Sequence, residues 1–152
     1  MNKPNSAELL TILWSEPKDS PFPDWKELGS AITKLPVMFW EEKMLFWGAK
    51  DKKLRKATQI FPNRLRKDKT THPIFILKKI ANFGFKVCPC TSSRHSKAKY
   101  IEQGCVLEIT HYKMDRNSYL LEEFNFNLPR EHNWNRDLRF GGKVPCACIR
   151  KD

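Results

Sequence analysis

Between Thr71 and Phe126 the apolar residues arrive in short runs closed by turn-forming residues, and the periodicity is that of β-strands. The run Ile74-Phe75-Ile76-Leu77 is bounded by Pro73 and by Lys78-Lys79. Asn82-Phe83-Gly84 supplies a turn, and residues 85–90 form a second strand. Residues 94–103 are polar and basic and read as a loop. A third strand is expected over residues 105–109 and a fourth over residues 118–126. Gly141-Gly142 reads as a turn before a last short run, residues 144–149. Short strands at such close spacing predict a small barrel.

The N-terminal third has helical spacing instead. Ser6 can cap a helix that carries Leu9, Leu10, Leu13 and Trp14 on one stripe. Pro17, Pro21 and Pro23 break it. Asp24 then opens a second helix, with Glu27 as a capping partner and Trp25, Leu28, Ile32 and Leu35 on one face. Residues 37–47 are rich in aromatics, and strand and helix both fit them. For Phe39, Trp40, Phe46 and Trp47, packing against the sheet is favoured over base stacking. The fold expected is α+β: an N-terminal helical extension over residues 1–48 and a β-barrel over residues 49–152.

Lys and Arg number 28 against 17 acidic residues, for a net charge of +11 and a pI near 9.6. Such a field suits a polyanion, meaning RNA, DNA or an anionic membrane surface, although a soluble domain can also simply be basic. Much of the charge lies in residues 50–69, where only Asp51 and Asp68 oppose nine Lys and Arg. Residues 57–61 interrupt it as a possible strand. The rest would form a basic loop leading into the first strong strand, suited to a phosphate backbone. No apolar run approaches the ~20 residues of a membrane span. The first residues have no signal-peptide pattern, so a cytoplasmic location is expected. Five cysteines in a reducing compartment make a disulfide framework an unexpected outcome. Cys88 and Cys90 would share one strand face, and Cys146 and Cys148 repeat that spacing. With Cys105, His72, His95, His111 and His132 a zinc site is conceivable. The C-x-C spacing nevertheless fits buried free thiols better than a zinc knuckle.

Three motifs follow one another in the β-rich stretch. They are His72-Pro73-Ile74-Phe75-Ile76-Leu77, Cys88-Pro89-Cys90-Thr91-Ser92, and Asp115-Arg116-Asn117-Ser118-Tyr119-Leu120-Leu121-Glu122-Glu123. In order and spacing this stretch resembles the core of the MazF/PemK family of toxin endoribonucleases. The resemblance covers about the central third of the chain. It implies an SH3-like barrel, usually dimeric, that cleaves single-stranded RNA with no metal or other cofactor. The 2′-hydroxyl attacks its own phosphodiester while an arginine and a threonine hold the phosphate and assist proton transfer. It also implies a partner, an antitoxin whose acidic segment covers the RNA groove.

Carried over by position, Thr91 is the matching threonine, and His72 stands where the family has arginine. Imidazole can move a proton near neutral pH but cannot grip phosphate as guanidinium does. Arg64, Arg66 or Arg94 would then supply the grip. Lys67, Lys69, Ser92, Ser93, Lys97 and Glu123 complete the expected RNA-binding set, Glu123 because it matches an acidic position of the family. Asp115 and Arg116 read as turn-stabilising residues. A catalytically inactive binding module on the same barrel is the alternative, and a zinc-stabilised structural protein a third class.

Overall fold

The computed structural model describes residues 34–63, 70–130 and 137–152. Apart from Lys34 and Leu35, the two expected N-terminal helices lie outside them, as do Arg64, Arg66, Lys67, Lys69 and His132. The described chain is mostly antiparallel sheet with one α-helix, curled into half a barrel.

Strand β1 is Met44–Lys50, and it runs directly into helix α1, Asp51–Thr58. Then come β2, Thr71–Ile80, β3, Gly84–Thr91, and β4, Lys99–Ile101. They are followed by β5, Ser118–Leu120, and β6, Phe126–Pro129. Last are β7, Arg139–Lys143, and β8, Ile149–Lys151. The order across the sheet is β7-β1-β2-β3-β5-β4-β8, with β6 also on β3. β3 therefore shares one edge between two neighbours. Gly84 to Val87 pair with β6, and Cys90 and Thr91 pair with β5. Pro89 falls in the gap, where its missing N–H disturbs no ladder.

The sheet is buried on both faces. Along β1, Met44 and Phe46 point to one side and Leu45 to the other, the alternation that a strand imposes. Trp40, fully buried, packs on Phe46 with ring centroids 4.2 Å apart, and its indole N–H donates to the Leu35 carbonyl at 2.9 Å. Leu54 of α1 joins that side. The opposite side holds Cys88, Cys90, Ile101, Leu107 and Leu120, beneath the curl of β5, β4 and β8. Helix α1 opens with Asp51 and ends on Arg55 and Lys56, both favourable with its dipole. Gln59 closes it in the left-handed conformation.

Several boundaries differ from those read in sequence. β1 crosses the 48/49 junction expected between extension and barrel. Residues 118–126 are not one strand: a 3-10 turn, Glu122–Phe124, separates β5 from β6. Residues 105–109 run along one arm of a hairpin held by single bridges, Val106 to Lys113 and Glu108 to Lys143. Residues 99–101 of the expected loop form β4, because β5 and β8 both pair with it. Gly141 and Gly142 lie inside β7. Residues 57–61 end α1 and form a bend. Cys105 and Cys148 form a disulfide across 43 residues of chain, a link that counting cysteines did not foresee.

Candidate functional site

Where β2 begins and β3 ends, a pocket of about 280 Å³ opens at the sheet edge. His72, Thr91 and Ser92 line it together, so antiparallel pairing of β2 with β3 brings two of the sequence motifs face to face. The third motif supplies Asp115, Arg116 and Asn117 from the other side.

His72 is held from behind. Its Nδ1 lies 2.6 Å from Oδ1 of Asp51, whose side chain is only 5% exposed. A carboxylate has no proton to give, so Nδ1 donates, and in the neutral ring this tautomer leaves the lone pair on Nε2. Asp51 is placed by the strand-to-helix junction. Ala49 pairs with His72, and the Asp51 amide donates to the Thr70 carbonyl at 3.1 Å. The ring is also wedged. The Thr58 hydroxyl accepts from the Phe61 amide at 2.9 Å, and Phe61 meets the imidazole edge-on at 4.9 Å. Phe61 in turn stacks on Phe124.

Thr91 ends β3. Its hydroxyl oxygen accepts from the Ser93 amide at 3.2 Å, which leaves the hydroxyl hydrogen available to a ligand. Cys90 lines the pocket, and with Cys88 in the core beneath it forms the same-face thiol pair read from their spacing. Their mutual hydrogen bond, reinforced by burial, pushes the Cys88 thiol well above its ordinary range, so it stays protonated.

The opposite wall is aromatic and charged. Trp47 and Tyr112 meet edge-to-face at 5.4 Å. The indole of Trp47 lies flat on Gly141, where an added Cβ would stand 2.8 Å from its ring. Trp47 thus departs from the other three aromatics of its segment: Phe39, Trp40 and Phe46 are core, whereas Trp47 faces the pocket. Burial, with the Asp115 charge, raises the Tyr112 phenol, which keeps it a donor. Arg116 Nε sits 3.5 Å from Asp115 Oδ1, both largely exposed. The pocket's charge is accordingly mixed and not uniformly basic.

Other expected site residues are placed elsewhere. Arg94 ion-pairs with Asp152 at 3.2 Å, which raises its guanidinium further above its ordinary value. Lys97 and Glu123 line a separate shallow depression, where Glu123 Oε1 meets His95 Nε2 at 2.6 Å. Ser93 contributes its backbone to Thr91. Sequence reasoning missed Asp51, Tyr112 and the pocket position of Arg116. Only the rarity of acids in residues 50–69 marked Asp51 beforehand. Among the described residues no three His, Cys, Asp or Glu side chains converge as a metal site, and no helix is long and apolar enough to cross a membrane.

No protein-family model, curated protein or solved structure matches the chain.

Proposed function

We propose that the protein binds single-stranded RNA and cleaves it as a toxin-type, metal-independent endoribonuclease on an SH3-like barrel. One observation carries this reading: His72 and Thr91 share a pocket, with a buried carboxylate behind the imidazole. In the reaction, Nε2 of His72 takes the proton of a ribose 2′-hydroxyl. The freed oxygen attacks the adjacent phosphorus, the bond to the 5′-oxygen breaks, and that oxygen takes a proton from water. A 2′,3′-cyclic phosphate remains, the His72 imidazolium returning its proton to solvent. Asp51 steadies the imidazolium. The Thr91 hydroxyl donates to a non-bridging phosphate oxygen, and Arg116 supplies the guanidinium at that charge. Arg116 takes that role in place of Arg94, which pairs with Asp152, while Arg64 and Arg66 lie outside the described residues. Trp47 and Tyr112 offer a stacking surface for a neighbouring base.

The net charge of +11 supports a polyanionic ligand, and also an acidic antitoxin as partner. A homodimer and a cytoplasmic location belong to the same reading.

The test is cleavage of unstructured RNA in the presence of chelator. Thr91→Val and His72→Gln should each lower the rate by about 10²-fold or more. Equal cutting by wild type and both variants would reject the assignment. Tight, salt-sensitive binding with no products would leave a nucleic-acid-binding module.

A further inference from the structure

The pocket's outer wall is stapled at its root. Tyr112 and Met114 lie on the return arm of the hairpin that starts at Gly104, and Asp115 and Arg116 follow directly. The Met114 amide donates to the Cys105 carbonyl at 2.8 Å, and the Gly104 amide donates to the Met114 carbonyl at 2.8 Å. Cys105 is bonded to Cys148, so one disulfide ties this root to the turn ahead of β8. A third sulfur stands beside it. Cys146 is exposed, lies in the same 3-10 turn as Cys148, and has Lys43 Nζ 2.6 Å from its Sγ. Cys105 is buried at 4% exposure while Cys148 is half-buried, so Cys148 is the more open sulfur of the bond.

We propose that Cys146, Cys148 and Cys105 form a thiol–disulfide exchange centre, served by a small thiol of the glutathione class, that converts the Cys105–Cys148 bond into a Cys146–Cys148 bond. In the direct step the Cys146 thiolate attacks Cys148 Sγ. The Cys146–Cys148 bond forms and the Cys105–Cys148 bond breaks. The electron pair leaves on Cys105, which takes up the proton that Cys146 gave. A small thiol reaches the same end in two displacements. Its thiolate opens the bond at Cys148, and Cys146 then expels it from the mixed disulfide, so none is consumed. An exposed sulfur set against an ammonium is the setting in which a cysteine serves as nucleophile. Loss of the Cys105 link releases the hairpin root and with it Tyr112 and Arg116. Only the effect of that release on RNA cutting rests on the RNA-cleaving reading.

The full chain is incubated with reduced glutathione, quenched in acid, alkylated and mapped by mass spectrometry. The expected species has Cys146 joined to Cys148 and Cys105 alkylated. Cys146→Ser, an exposed and conservative change, should abolish that species and leave the original bond or a glutathione mixed disulfide at Cys148. Lys43→Met should slow its appearance several-fold. Passage straight from the Cys105–Cys148 bond to three free thiols, with no Cys146–Cys148 form, would overturn the proposal. So would an unreactive Cys146 beside an intact bond at every glutathione level. Fluorescence of Trp47, which touches Tyr112, should change as the Cys105 link is lost. Unaltered RNA cutting by Thr91→Val and His72→Gln, with the exchanged species still present, would sink the nuclease reading and leave the exchange centre standing.

Discussion

His72 reaches the pocket from a ten-residue strand paired on both sides, whereas Arg116 reaches it from beyond a hairpin held by single bridges and one disulfide. The imidazole is half-buried, braced by Asp51 and by Phe61. The guanidinium is 67% exposed, and Asp115, with which it pairs, is nearly as open. The inner wall thus has fixed geometry, which the proposed proton transfer would require. The outer wall has reach, which would suffice for the proposed role of meeting a phosphate drawn by charge. Position within the sheet, more than residue type, separates the two roles.

The largest way to disturb this contrast is through the helix that orients Asp51. Leu54 is fully buried, so Leu54→Ala should cost about 3 kcal/mol of stability, read by denaturant unfolding. A loss under about 1 kcal/mol would show that the inner wall does not depend on α1 packing. Gly141→Ala comes next. The new methyl would press on the Trp47 ring at 2.8 Å, and the displacement should cost about 1–3 kcal/mol and shift tryptophan emission.

Arg116→Ala acts on the other wall. Stability should stay within about 0.5 kcal/mol of wild type, because the side chain is exposed. RNA affinity should fall, and the salt dependence should lose about 0.7 in logarithmic slope, one phosphate contact. An unchanged slope would remove Arg116 from the phosphate.

The smallest effect belongs to Asp137. Lys53 donates to it at 2.7 Å, and Lys50 stands 3.5 Å away, clamping α1 to the segment before β7. That hydrogen bond, aided by the charges of Lys53 and Lys50, lowers the Asp137 carboxyl below its ordinary range. A carboxyl depressed in the folded state adds stability that is present above the ordinary carboxylate range and lost as pH falls through the folded value. Wild type should therefore exceed Asp137→Asn by at most about 1 kcal/mol at neutral pH, and the two should converge in acid. A constant difference across the titration would assign the effect to packing.

Local signals made β2 and β3 legible in the sequence, because each is a long apolar run with a turn between them. β4 is three residues in a polar stretch and exists through its neighbours, so no window of sequence marks it. The meeting of His72 with Thr91 followed from motif order. Asp51 could not be read the same way, since its approach to His72 joins residues on different elements through the β1–β2 register. Arg116 looked like a turn residue because its neighbours Asp115 and Asn117 are turn formers. Its place on the pocket is fixed by the hairpin's pairing to Cys105 and by the Asn117 side chain, which accepts from the Gln103 amide at 2.7 Å.

Pro89 has a wider consequence. Its carbonyl accepts from the Leu121 amide at 2.9 Å, so the same side of the residue, where any other amino acid would carry an N–H, faces the seam between β6 and β5. An amide hydrogen there would enter dry protein at a point where one neighbouring strand has ended and the next has not begun, at a penalty of about 1–3 kcal/mol. Omitting a single donor lets the backbone veer away into its 3-10 excursion and return, and that detour is what delivers Phe124 to the ring stack behind the imidazole.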